Sequence, residues 1–291
     1  MKKTIKTGKI IFLITFILLS ITGCKQDDME DINIIVTNYP NEFIVSKLYG
    51  KHSNIESIYP DGVDTDKYKI TNRQKKKFSK KELFIYNGLI EKERNLAVNL
   101  LDLNNSLKII DSAYVLEEEY SPTELWLAPS SLLMMAKNIQ IGLEEYVTST
   151  YLKKEIQESY EKLKLELSEL DADYRVTIEN TKNKTILSNS NSLKYLEKFG
   201  LTVLTLDNKA TEKEIANIEN LITNKEISYI FTFKNEETTK NTENILNKYT
   251  DIKTIELNKL DTLTDKEREE KEDYFSIMNS NLELLKQELY Q

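Results

Sequence analysis

The only thiol of the chain, Cys24, stands directly behind Ile21-Thr22-Gly23, and that placement points to acylation. An apolar run from Ile10 to Ile21 precedes it, and Lys2, Lys3, Lys6 and Lys9 precede the run. A basic start, a short apolar core and a small-residue exit compose a secretory signal peptide. The run falls short of the roughly 20 apolar residues of a comfortable membrane span. A cysteine directly after the small residues is the bacterial lipoprotein signature: cleavage before Cys24 frees a thiol and an amino group to take up acyl chains. The expectation is a signal peptide over 1–23, lipidation at Cys24, and a lipid-anchored protein on the extracytoplasmic face of the cell membrane.

Other reactive types are sparse. The single histidine, His52, lies in YGKHSN between a helical and a strand-like segment and reads as a surface residue. No nucleophile–base pair is evident and no histidine is placed as a general base, so the chain does not read as an enzyme. Paired carboxylates suit glycoside chemistry, but no other feature supports it. With Cys24 acylated, neither a disulfide nor a thiolate metal ligand remains. Loss of residues 1–23, with four lysines and no acids, takes the net charge from −8 to −12. That balance, without a basic patch interleaved with aromatics, argues against nucleic acid as a partner. The triplet Glu117–Glu119 reads as a solvated loop, and Trp126, the only tryptophan, as packing.

The elements that must position any site alternate along the chain. Residues 25–30 (KQDDME) form a polar tether. Strand-like segments at 32–37, 54–59, 83–86 and 107–111 alternate with helical spacing at 41–49, 75–81 and 89–101. A helix over 132–143, starting near Pro129, precedes the longest helical pattern, 149–181. That stretch has no Pro or Gly and carries Tyr151, Ile156, Tyr160, Leu163, Leu167 and Leu170 at helical spacing. The rhythm then restarts: strands at 185–188, 201–206, 228–233 and 253–257, with helices at 192–199, 212–223, 239–249 and 267–289. The pattern predicts an α/β protein of two lobes with parallel sheets, joined by one long rigid helix, with a ligand cleft between the lobes. The expected divisions are 1–23 signal, 24–30 tether, 31–148 N-terminal lobe, 149–181 linking helix and 182–291 C-terminal lobe.

Six strings, in order, carry a resemblance. GVDTDKYKIT (62–71) is similar to Gly-x-Asp-Pro-His-x-Tyr-Glu-Pro. LFIYNGL (83–89) is similar to a strand ending in Tyr-Asn-Gly, and ELWLAPSSLLMMAKNI (124–139) to His-x-Trp-Leu-x-Pro and its following helix. SNSNSLKYLEKFGL (188–201) is similar to Ser-His-x-Ala-x-Gly-Tyr ending in Tyr-Gly-Leu. LNKLDTLTDKE (257–267) is similar to Leu-Asn-Pro-Leu-Glu-Gly-Leu-Thr, and DYFSIMNSNLELL (273–285) to a closing helix. Over nearly the whole mature chain the protein resembles the solute-binding lipoproteins of bacterial zinc and manganese ABC transporters, the metal-binding lipoprotein/adhesin family.

The resemblance implies two α/β lobes on a rigid helix, with a metal held in the cleft by three histidines and a carboxylate. It also implies delivery of a divalent cation to an ABC permease in the membrane. At the matched positions this chain has Asp66, Glu124 and Ser190 for the histidines, with Asn189 and Asn191 beside Ser190; only the carboxylate is kept in kind, as Asp261. Two readings stay open. In one, the oxygen donors of Asp66, Glu124, Ser190 and Asp261 form a site for a hard cation such as Mn²⁺ or Ca²⁺ rather than zinc. In the other, no metal is bound, and a metal-free paralogue serves as a surface adhesion or interaction module. The mature chain is expected to be a monomer.

Overall fold

The computed structural model describes residues 29–116 and 125–291. The signal peptide, Cys24, Glu117–Glu119 and Glu124 lie outside the described residues.

The first sheet contains β1 (Ile32–Val36), β2 (Ser53–Ser57), β3 (Leu83–Tyr86) and β4 (Lys108–Asp111), all parallel, in the spatial order β2-β1-β3-β4. Parallel strands are covered on both faces and read as continuous apolar runs. Accordingly Ile34, Ile35, Val36, Leu83, Phe84 and Ile85 are fully buried. The covering helices are α1 (Tyr39–Tyr49), α2 (Asn72–Phe78), α3 (Glu91–Leu103) and α4 (Pro129–Tyr146). The second sheet repeats the plan with β5 (Thr185–Ser188), β6 (Thr202–Thr205), β7 (Tyr229–Phe233) and β8 (Lys253–Leu257), in the order β6-β5-β7-β8.

Between the sheets runs α5, Thr150–Glu179, a single helix of 30 residues and therefore about 45 Å long. Its buried residues, Leu152, Ile156, Tyr160, Leu163, Leu167, Leu170, Tyr174 and Ile178, recur at three- and four-residue steps and form one stripe. That stripe packs on α1, α4 and the C-terminal helix. One apolar cluster consequently runs from Ile34 of the first sheet through α5 to Phe231 of the second.

Capping sets several boundaries that apolar periodicity misses. The short helix expected at 75–81 begins at Asn72, because Thr71 and Gln74 form a capping box. The segment expected as a helix at 192–199 is a 3₁₀ helix, Asn191–Phe199, opened by the Ser190 hydroxyl; α6 (Glu212–Thr223) and α7 (Lys240–Lys248) follow in the second lobe. The expected helix at 267–289 is two: α8 (Asp265–Glu269) and α9 (Tyr274–Leu289), each with its own capping box, at Thr264/Glu267 and Asp273/Ser276. Between them the chain turns through Lys271 at φ 58. Met29, placed by the sequence in the polar tether, is fully buried, and its carbonyl accepts from Tyr49 Oη at 2.6 Å.

Candidate functional site

In open parallel sheets, ligands collect beyond the carboxyl ends of strands where the strand order reverses. In the first sheet that reversal falls between β1 and β3, and in the second between β5 and β7. A cleft of about 490 Å³ lies at such ends. It is lined by Asp64, Asp66 and Lys67 after β2, Ser190 after β5, Asp207 after β6, Lys234–Glu237 after β7, and Lys259 and Asp261 after β8. Asp66, Ser190 and Asp261 therefore share one cleft, while Glu124 lies outside the described residues. His52 is not among the lining residues; it is half-buried against α5, with Nε2 2.8 Å from Glu155 Oε2.

Local hydrogen bonds shape each donor. Asp64 Oδ1 accepts from the backbone N–H groups of Asp66 (3.0 Å) and Lys67 (3.3 Å), folding the loop so that Asp66 projects from it. The loop after β8 lies along the first lobe. Tyr39 N donates to the Asp261 carbonyl at 3.0 Å, Gly62 N to the Leu263 carbonyl at 2.8 Å, and Thr65 Oγ1 to Asp261 Oδ2 at 3.1 Å. Gly62, at φ 71, takes the left-handed backbone conformation that this turn needs and side chains rarely adopt. Ser190 Oγ lies 2.8 Å from Ser192 Oγ, and Asn191 Nδ2 donates to Asp207 Oδ2 at 2.8 Å. Lys67 Nζ crosses the cleft to Glu237 Oε1 at 2.6 Å.

The carboxylates are not equivalent. Burial raises the Asp66 carboxyl, but the positive charges of Lys259 and Lys92 outweigh it and hold the group below its ordinary range. At Asp261 burial wins over the pull of Lys259, Thr65 and the Thr262 N–H, and the group is raised. Behind them Glu93 is buried and pushed up to about 7, although Thr37 and the Asn87 N–H hydrogen-bond its charged form. Asn38, 2% exposed, borders the same interior space with an unpartnered Nδ2.

Two residues at the site escape sequence reasoning: Lys259, which lines the cleft, and Lys92, which lines the small interior pocket beside it; their ammonium groups lie 3.4 Å and 3.3 Å from Asp66. Lys259 did carry a signal, standing where Leu-Asn-Pro-Leu-Glu has its proline. Chemically the described residues of the cleft offer oxygen donors, and among them is no imidazole or thiolate of the kind zinc favours. Among the described residues, no group of three or more His, Cys, Asp or Glu side chains is arranged to hold a metal.

Two parallel α/β lobes on one long helix, with a polar cleft at their strand ends, define a two-lobed solute-binding protein. The chain belongs to the ZnuA family, described as zinc-uptake complex component A, periplasmic, whose profile matches residues 34–288. The family is one of transport binding proteins rather than enzymes. The zinc-binding lipoprotein AdcA of Streptococcus pneumoniae is 21% identical over 305 residues; the match covers 95% of this chain and 60% of that protein. The chain thus spans about three-fifths of that relative's length. The high-affinity zinc uptake system protein ZnuA of Bacillus subtilis is 22% identical, with 93% of this chain and 91% of that one covered. The crystal structure of the Zn(II)-bound ZnuA-like domain of S. pneumoniae AdcA superposes with a TM-score of 0.72 at 23% identity. That match covers 90% of this chain and all of that domain, and it shows the shared fold.

Proposed function

We propose that the chain is the extracytoplasmic solute-binding component of a metal-ion ABC transport system. In this reading it takes a divalent cation at Asp66, Glu124, Ser190 and Asp261 and presents it to a membrane permease. The observation that carries this is the convergence of Asp66, Ser190 and Asp261 on one inter-lobe cleft at the carboxyl ends of both sheets. Kinship with zinc-binding proteins favours zinc; the all-oxygen donor set favours a harder ion such as Mn²⁺ or Ca²⁺. The description of the S. pneumoniae relative as a lipoprotein and the placement of Cys24 support an acyl anchor on the outer face of the cell membrane. Among the described residues no helix is long and apolar enough to cross a membrane.

Elemental analysis of protein purified without chelator, followed by titration with Zn²⁺, Mn²⁺ and Ca²⁺, tests the cargo. Binding that disappears in Asp261→Asn supports the site; binding that survives Asp66→Ala together with Glu124→Ala refutes it. Membrane fractionation tests the anchor: Cys24→Ala should release the protein, and retention would refute acylation there.

A further inference from the structure

Asp66 already has two cations of the protein's own. Lys92, in the first turn of α3, places Nζ 3.3 Å from Asp66 Oδ1 and donates to the Thr65 carbonyl at 2.7 Å. Lys259, from the loop after β8, places Nζ 3.4 Å from Asp66 Oδ2. The first lobe's carboxylate is thereby bridged to the second half of the chain by an ammonium group. The Lys259 side chain is only 15% exposed, and a charge so withdrawn from water needs an anionic partner. Lys259 also lines the interior pocket with Asn38, Thr65, Glu93 and Asp261. With both lysine side chains in place that pocket has room for about 10 Å³, one water at most.

Space and charge lead to the same conclusion. A divalent cation sits roughly 2.0 to 2.6 Å from its oxygen ligands, closer than either ammonium sits to Asp66. Two like charges already at that carboxylate repel a third cation. A group tethered by a short flexible stem also competes at an effective concentration on the order of millimolar or more.

We propose that Lys92 and Lys259 are built-in counter-cations of the cleft, taking the charge and space a divalent ion would take beside Asp66 and Asp261. Lys259 holds the lobes bridged without metal, Lys92 pairs with Asp66 from within the first lobe, and an incoming divalent cation must displace both ammonium groups. This rests on the reading of Asp66 and Asp261 as cargo ligands, and it makes the two lysines determinants of what the cleft accepts.

Lys92→Met with Lys259→Met keeps both stems and removes both charges. The detergent-solubilised full chain, stripped with chelator, is titrated calorimetrically with Ca²⁺, Mn²⁺ and Zn²⁺. Wild type, the double variant, and the double variant carrying Asp66→Asn are compared. The expected result is binding of at least one ion at least tenfold tighter in the double variant than in wild type, abolished by Asp66→Asn. A double variant that binds no tighter than wild type overturns the proposal, and with it the cargo reading if neither protein binds any of the three ions. Binding by the double variant alone supports the counter-cations and refutes cation delivery by the wild type. Circular dichroism checks folding. Lys259→Gln alone, expected to tighten binding to a smaller extent, decides the matter if the double variant does not fold.

Discussion

Trp126 Nε1 donates to the backbone carbonyl of Lys259 at 2.8 Å, tying the short 3₁₀ turn Leu125–Leu127 of the first half to the loop after β8. The indole is 2% exposed, and its own carbonyl accepts from Tyr274 Oη at 2.8 Å. The only tryptophan is therefore both packing and anchor. Trp126→Phe should preserve much of the apolar burial but strand the Lys259 carbonyl. An unsatisfied buried acceptor costs about 1–3 kcal/mol, and urea unfolding should show a loss in that range. A loss near zero would mean that water replaces the indole and the loop is not held by this bond.

Glu93 should make stability fall as the medium becomes less acidic. Its folded pKa of about 7 lies above the ordinary 4.5, so the folded state keeps the proton longer than the unfolded chain. Below the unfolded value both states are protonated and nothing is lost. Between roughly 4.5 and 7 only the unfolded state releases its proton, and stability declines; above about 7 the decline is complete. The full span is about 3 kcal/mol as an upper figure. Lys92 opposes the shift and Asp111 adds to it. Glu93→Gln, whose amide oxygen still accepts from the Asn87 N–H, should melt at a higher temperature than wild type near pH 8 and show a flatter profile. A wild-type melting temperature that rises steadily from pH 5 to 8 would contradict this.

How far the sequence disclosed this molecule depends on the kind of signal. Strands Thr185–Ser188 and Lys253–Leu257 and helix Glu212–Thr223 lie at the expected bounds, because apolar run and polar flank coincide there. The break between α8 and α9 was hidden, since Lys271 takes a left-handed turn without the glycine that usually marks one. Asp66, Ser190 and Asp261 were legible only through matched strings, not through any spacing of their own. Lys92 and Lys259 were illegible as a pair. Lysine is ordinarily a solvated residue, and their meeting at Asp66 depends on tertiary packing between distant parts of the chain.

Arg268 clasps the second half of the chain to the first. Its Nη1 and Nη2 donate to the two Glu42 oxygens at 2.7 and 3.0 Å, and Nε donates to Asp61 Oδ2 at 2.5 Å. Such a fork is geometrically specific in a way a lysine ammonium is not. Arg268→Lys should therefore lose most of what Arg268→Ala loses, on the order of 1 kcal/mol for a partly exposed network, and the wild-type advantage should shrink in high salt. Denaturant titrations at low and high ionic strength check both points; full retention by Arg268→Lys would show that charge alone suffices.

Gly142 lets α4 sit against β4. A Cβ at this position would lie 2.7 Å from Ile110 Cγ1 and 2.8 Å from Cδ1, closer than carbon atoms tolerate. Ile110 is buried in the main apolar cluster, and Leu143 beside the glycine is fully buried. Helix propensity alone favours alanine over glycine by about 1 kcal/mol. Overpacking of a buried contact costs roughly 1–3 kcal/mol, so the two effects oppose each other and the clash should win or at best be balanced. Gly142→Ala should be destabilised, and pairing it with Ile110→Val, which removes the Cδ1 methyl, should recover part of the loss. A double-mutant cycle read by thermal unfolding measures this directly. If Gly142→Ala is more stable than wild type, Ile110 moves aside at little cost, and the close approach of α4 to β4 does not depend on the missing side chain.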